Sequence, residues 1–191
     1  ADDAKSQALY KQMKGRRLPM IDRVEISIIE ENQPRWLSFL SADQDLLERL
    51  PNAFAYQAIP NNRLAPNLQK KHIVMERVPA ADVTLTYFNM EDPIVGGYTP
   101  DKVALRRAIA LAYSSEEEIR LPRRNQAILA QGPMQPGTFG YDPKFKTEMS
   151  EFSRARAAAL LDMYGYVDRD GDGWRDLPDG KPMVLQYYTT P

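Results

Sequence analysis

The order of apolar and polar residues predicts both strands and helices along the chain. Segment 24–28 alternates apolar with polar residues, a pattern typical of a half-buried strand. Segments 73–78, 83–89 and 183–188 are further strand candidates, and residues 83–88 are rich in β-branched and aromatic residues. Four separate segments are therefore expected to lie in a sheet.

Helical patterns lie between these segments, and the clearest covers residues 99–113. Thr99 is a good N-cap, Pro100 suits the first helical position, and Asp101 favours the positive end of the helix dipole. The apolar positions predict one buried stripe: Leu105, Ala108, Ile109, Ala112 and Tyr113. Other helices are expected over residues 33–40, 51–58, from the capping box at Ser115, and from Ser153 to a stop at Gly165.

Strands and helices intermix without a regular βαβ rhythm. The predicted fold class is therefore α+β, with a mixed β-sheet packed with helices. Residues 1–20 are polar and rich in lysine and arginine, which favours an N-terminal segment or linker with a short helix. The chain begins with Ala1 instead of Met and ends just after a strand-like run, so we expect it to be a piece of a longer protein.

Composition removes several classes of function. The 191 residues include 25 lysines and arginines against 26 acidic residues, so the chain lacks the basic charge of a nucleic-acid binder. Without cysteine, thiolate zinc sites, iron–sulfur clusters, disulfides and cysteine nucleophiles are excluded. One histidine, His72, excludes sites with several histidine ligands. No apolar run reaches membrane-spanning length.

An acidic loop at residues 168–179 is the strongest candidate for metal chemistry. Carboxylates occupy positions 1, 3, 5, 9 and 12 of this loop, with glycine at position 6, which is the spacing of an EF-hand calcium loop. The candidate ligands are Asp168, Asp170, Asp172, Trp174, Asp176 and Asp179. Position 12 holds Asp179 instead of glutamate and Pro178 precedes it, so a plain Asp/Gly turn before a strand is the alternative.

No set of side chains forms a catalytic site, so the sequence does not predict an enzyme. The serines at 114–115 are explained by helix capping. The arginine pairs at 106–107 and 123–124 could clamp an anion, or they form a solvated or ion-paired helix face. Phe88 and Asn89 at a strand end, and Tyr141 in a Pro/Gly loop, are the candidate ligand contacts.

Three stretches in this order resemble a known family. They are residues 21–26 with 35–40, residues 86–89 leading to 103–113, and residues 137–143 with the helix and acidic turn up to 180. Together they are similar to the extracellular solute-binding proteins of family 5, the periplasmic receptors of peptide/nickel-type ABC importers. Ser114 and Ser115 stand where that family has Asp-Arg, and Asn125 stands where a glycine is common.

The resemblance implies that residues 21–191 are a single lobe, similar to the second lobe of a type II periplasmic binding protein. Such a lobe is non-catalytic and needs no cofactor. It would be a periplasmic monomer that captures peptides or similar small solutes by hinge closure and delivers them to a membrane permease. The alternative is an extracellular interaction module stabilised by calcium, without a role in transport.

Overall fold

Residues 3–189 are described by the computed structural model of the chain. They belong to two compact units that divide between Arg49 and Leu50. The predicted boundary lies earlier, between residues 20 and 21, and the assignment of residues 21–191 to a solute-binding lobe stays a prediction. Residues 190 and 191 of that predicted lobe lie outside the described residues.

Helices are the regular structure of both units. The first unit contains α1 (Ala4–Met13) and α2 (Asn32–Leu40). The second contains α3 (Ala55–Ala58), α4 (Pro66–Gln69), α5 (Pro100–Ala112), α6 (Ser115–Arg120) and α7 (Arg154–Met163). Short 3-10 turns lie at Asn52–Phe54, Pro60–Asn62 and Glu148–Ser150. Within residues 3–189, no helix is long and apolar enough to cross a membrane.

The predicted mixed β-sheet is wrong. The described chain is 34% helix and forms essentially no strands, and an isolated antiparallel bridge joins Asp176 and Pro182. The strand-patterned segments leave their apolar side chains in solvent: Ile26 is 84% exposed, Val74 89% and Tyr87 81%. Alternation gives a segment one apolar face, but a strand exists only where a second strand accepts its hydrogen bonds. No such partner lies beside these segments in residues 3–189.

In the first unit, the predicted helices form but bury little. The carboxylate of Asp3 accepts a hydrogen bond from Ser6 N at 2.9 Å and caps α1. In α2, Trp36 is buried and stacks on Phe39 with ring centroids 6.0 Å apart, whereas Leu37 is half exposed. Trp36 is the buried residue of α2.

In the second unit, α5 packs against α7 through small side chains. Ala108 and Leu111 of α5 contact Ala157 of α7, and Leu160 and Leu161 close the cluster. Ser153 N donates to Leu111 O at 2.7 Å and ties the start of α7 to the end of α5. Alanines at the contact let the two helix backbones approach closely, which brings the larger leucines together.

The buried face of α5 differs from the predicted stripe. The buried residues are Ala104, Leu105, Ala108 and Leu111. Ile109 is half-buried, and Ala112 and Tyr113 are exposed. Leu105 and Ala108 were predicted correctly, but the face is rotated because α7 contacts the side that carries Leu111.

A smaller apolar cluster forms around α3 and α4. Ala55, Ala58, Ile59, Ala65 and Leu68 are buried there, and Ala65 N donates to Ala58 O at 2.8 Å. The predicted helix at residues 51–58 is confirmed as a 3-10 turn followed by α3. Helix α4, which was not among the predicted helices, starts at a proline in its first turn.

Candidate functional site

The acidic loop brings three of its predicted ligands together. One carboxylate oxygen each from Asp168, Asp170 and Asp176 lies within 4.8 Å of the others. This spacing suits a calcium ion, whose oxygen ligands lie about 2.4 Å from the metal. Asp176 is 6% exposed, whereas Asp168 and Asp170 are open to solvent. The group therefore has one buried wall and one open side.

The same carboxylates also close the turn by themselves. The two oxygens of Asp168 accept hydrogen bonds from Gly171 N at 2.7 Å and Gly173 N at 2.9 Å. Asp176 Oδ2 accepts from Arg169 N at 2.9 Å. Bonds from backbone amides to aspartate oxygens are what an Asp/Gly turn requires without any ion. The loop geometry thus agrees with both interpretations of the sequence, a calcium loop and a plain Asp/Gly turn.

Three other predicted ligands lie outside the group of three carboxylates. Asp172 Oδ1 accepts from Trp174 N at 2.7 Å, and the Trp174 side chain is exposed. Asp179 forms an ion pair with Lys181 at 2.7 Å, and this bond holds the pKa of the Asp179 carboxyl below its ordinary value. Asp179, at position 12, is therefore already neutralised by a lysine.

The two arginines of the loop do not neutralise the three carboxylates. Arg169 donates through its guanidinium to Gly165 O and Pro178 O, at 3.2 and 3.3 Å. The Arg175 guanidinium pairs with Asp162 at 2.5 Å. The mutual repulsion of the three carboxylates is therefore reduced by solvent or by a bound cation, and not by these arginines.

Calcium binding by this loop is a proposal that a thermal melt tests. We expect millimolar calcium to raise the unfolding midpoint, because an ion that binds only the folded state adds about 2.7 kcal/mol at a hundred times its Kd. Asp170→Asn should abolish the response, whereas Asp179→Asn, outside the group of three, should keep it. Equal midpoints of the wild-type chain in calcium and in chelator would leave the plain turn as the explanation.

The predicted ligand contacts lie in two separate loops. Asn89 Oδ1 accepts from Glu91 N at 3.1 Å, so this side chain opens a turn. Phe88 before it is half-buried, and Tyr141 is 39% exposed in the second loop. Among the described residues, no hydrogen bond or ring contact joins Phe88, Asn89 and Tyr141. Their role in ligand binding stays a prediction.

The turn after Asn89 is fastened to α5. Asp92 Oδ1 accepts from Val95 N at 2.9 Å and from the preceding amide, and these two bonds lower the pKa of the Asp92 carboxyl. Lys102 Nζ donates to two carbonyls of the turn, at 2.8 and 2.6 Å, and Arg106 donates to Val95 O. The position of Asn89 is therefore set by helix α5. Arg106, one of the arginines considered as an anion clamp, therefore has a structural role as a hydrogen-bond donor to this turn.

A polar cluster lies where α5 passes into α6. The Tyr113 hydroxyl donates to Glu118, and Arg123 forms an ion pair with the same carboxylate at 2.7 Å. Burial and the Glu118 carboxylate raise the pKa of Tyr113 to about 12. The hydrogen bond from Tyr113, helped by Arg123, lowers the pKa of Glu118. The predicted capping box is displaced by one residue, since Ser114 caps α6 by accepting from Glu117 N.

The shifted pKa values of this cluster predict how stability depends on pH. Because the pKa of Glu118 is depressed in the folded chain, its contribution is present at neutral pH and is lost as pH falls through that value. Because the pKa of Tyr113 is raised, its contribution is lost as pH rises from about 10 to about 12. In Tyr113→Phe, a carbon-13 titration should show the pKa of Glu118 move up. An unchanged Glu118 pKa would contradict the role given to the hydroxyl.

A cavity of about 360 Å³ that the sequence did not indicate lies beside α3. Its walls include Tyr56 and Arg124, and the Arg124 guanidinium lies over the Tyr56 ring at 4.6 Å from the centroid. The sequence offered one partial signal, since the arginine pair at 123–124 was a candidate anion clamp. Nothing in the spacing of residues 56 and 124 could show that they meet.

Comparison with known proteins gives one finding on family. The model of a family described as "Bacterial extracellular solute-binding proteins, family 5 Middle" matches residues 5–191. Comparisons with curated proteins and with solved structures give no significant match. The matched range includes all but the first four residues of the two compact units and every candidate residue described above.

Proposed function

This chain belongs to family 5 of the bacterial extracellular solute-binding proteins, and on that premise we propose that it is the ligand-binding lobe of an ABC-importer receptor. The observation that carries the proposal is the match of the family model over residues 5–191. The receptor would work in the periplasm, as a monomer, and would hand its solute to a membrane permease. It would carry out no chemical step on that solute.

Peptides are the proposed solutes. A peptide offers apolar side chains and a backbone of amide donors and acceptors, so a receptor needs aromatic faces together with carboxamide groups. Phe88, Asn89 and Tyr141 are of these types. The tie between the 89–98 turn and α5 would keep Asn89 preorganised, which lowers the entropy cost of binding.

Hinge closure is the proposed mechanism. Two lobes that close around a solute remove it from water and strengthen its hydrogen bonds. The closed form would then differ in shape from the open form, which gives a permease a surface to recognise. If the acidic loop binds calcium, the ion would stabilise the lobe and would not require a separate function.

Binding of trialanine tests the proposed ligand contacts. We expect Phe88→Ala to weaken binding about tenfold or more, because burial of a large apolar side chain contributes about 1.5–3 kcal/mol. Tyr87→Ala is the matched control, since Tyr87 is an exposed neighbour on the same segment. Calorimetry measures both variants. Equal affinity of Phe88→Ala and the wild-type chain would remove Phe88 from the site.

The two-lobe mechanism has its own test. Good sites bury about 70–90% of a drug-sized ligand, so one lobe supplies only part of the contact. We expect the full-length receptor, purified from its source, to bind trialanine far more tightly than the 191-residue chain. Native mass spectrometry of that receptor should also show a co-purified solute. Equal calorimetric affinity would place the whole site within this chain and contradict hinge closure around it.

A further inference from the structure

We infer that the cavity beside α3, here called the Arg124 cavity, is a binding site for small carboxylates that carry a flat apolar group. The inference concerns the second unit alone and does not depend on the proposed solute. The cavity measures about 360 Å³, a size that ordinary small-molecule sites have. Ile59 lies in its wall and is buried, whereas Tyr56 is half exposed.

The charge of the cavity is positive and unopposed. Arg124 is the charged residue among those that line it, and no aspartate or glutamate does so. Within residues 3–189, Arg124 has no ion pair and no hydrogen bond. Two nearby arginines do form ion pairs: Arg123 with Glu118 and Arg120 with Glu117. An anion that enters the cavity therefore meets a guanidinium that no carboxylate of the described chain has already engaged.

The orientation of Arg124 selects the shape of the anion. Its guanidinium carbon lies over the Tyr56 ring, 4.6 Å from the centroid, which is a cation–π contact. This contact does not engage the N–H donors of the guanidinium, and no hydrogen bond within residues 3–189 does so either. A carboxylate matches the planar guanidinium with two parallel hydrogen bonds in one plane. A flat group attached to the carboxylate can then lie against the half-exposed side chain of Tyr56.

The backbone around the cavity is held in an unusual conformation on two sides. Asn61 and Asn62 have φ values of 51° and 62°, and Arg124 and Asn125 have 51° and 58°. Asparagine tolerates this left-handed region, but arginine rarely adopts it. Strained residues of this kind cluster at ligand sites, where the surrounding structure holds them in place.

Hydrogen bonds hold the Arg124 turn against the start of the α3 segment. Asn125 N donates to Ile119 O at 2.8 Å. Gln126 Nε2 donates to Asn52 Oδ1 at 2.6 Å, a bond between residues far apart in sequence. The side-chain amides of Asn61 and Asn125 line the same cavity and add donors for the oxygens of a ligand. The cavity is thus built from two segments that specific bonds keep together.

Benzoate and benzamide are the probes that test the inference, because they differ in charge and hardly in shape. Amide chemical shifts of the lining residues should saturate with benzoate, and benzamide should bind at least tenfold more weakly. Arg124→Gln should weaken benzoate binding about tenfold or more. The affinity of Arg124→Lys should lie between that of Arg124→Gln and that of the wild-type chain, since lysine keeps the charge but lacks the planar guanidinium that donates two parallel hydrogen bonds. Arg120→Ala, an exposed residue of α6, is the matched control and should bind as the wild-type chain does.

Three outcomes would overturn the inference. Benzamide could bind as tightly as benzoate, which would show that the charge of Arg124 plays no part. Arg124→Gln could keep wild-type affinity while folded by circular dichroism. Inorganic phosphate could bind more tightly than benzoate, as measured by the shifts of the same amides. The cavity would then be a general anion site. If Arg124→Gln fails to fold, the affinities of the wild-type chain for benzoate, benzamide and phosphate are sufficient to test the inference.

Discussion

Replacing Tyr166 by alanine will lower the free energy of unfolding by about 3–5 kcal/mol, the cost of removing a large buried aromatic side chain. Tyr166 is 0% exposed and is the largest fully buried side chain of the described residues. Its hydroxyl donates to Asp101 O at 3.3 Å, at the start of α5. Loss of the ring would therefore leave a cavity between that helix and the segment after α7.

Two further variants separate the ring from its hydroxyl. Tyr166→Phe keeps the ring and should cost about 1 kcal/mol, the value of one hydrogen bond. Tyr188→Ala removes a tyrosine that is exposed and should change stability by about 0.5 kcal/mol or less. Urea unfolding of the three variants gives the free energies. Similar losses for Tyr166→Ala and Tyr188→Ala would contradict the burial of Tyr166.

Gly96→Ala is the second substitution with a large expected effect, a loss of about 3 kcal/mol or more from overpacking. A Cβ atom at Gly96 would lie 2.4 Å from Met90 O and 2.5 Å from Asp92 O. Both oxygens belong to the backbone and accept hydrogen bonds from Gly97 N and Gly96 N, so neither can move aside without breaking the turn. The φ angle of Gly96 is outside the left-handed region, and the effect is therefore steric.

Gly132→Ala is the matched control for this substitution. A Cβ there would lie 3.5 Å from a ring carbon of Phe145, an ordinary van der Waals contact. We expect its free energy of unfolding to stay within about 1 kcal/mol of the wild-type value. Because the 89–98 turn holds Asn89, Gly96→Ala should also weaken trialanine binding if Asn89 is a ligand contact. A stable Gly96→Ala chain would show that the turn is not packed as described.

Local sequence signals predicted α5 and α7 well. Thr99, Pro100 and Asp101 mark the start of α5, and Ser153 caps α7 by accepting from Arg156 N. Gly165 stands just beyond α7 with φ 81°. Thr99 occupies the N-cap position of α5 without a side-chain cap hydrogen bond, and Pro100 fits the first turn. Signals of this kind act within a few residues of themselves, so they can be recognised without knowing the rest of the fold.

The candidate sites were predictable only in part. The spacing of the acidic loop placed Asp168, Asp170 and Asp176 in one set, and their carboxylate oxygens lie within 4.8 Å of one another because residues in one turn stay close. Their role as metal ligands stays a prediction. The same spacing also included Asp179, which Lys181 neutralises. The Arg124 cavity was missed, since its walls come from segments about seventy residues apart in sequence.

The sequence by itself determined the starts of α5 and α7, the turns at glycine and aspartate, and the family to which the chain belongs. The tertiary structure decided which faces are buried and whether strand-like segments pair. Segments 24–28, 73–78, 83–89 and 183–188 have strand patterns but no partner strand among residues 3–189. Pairing and burial depend on contacts between distant segments, and a pattern along one segment specifies only its own preference.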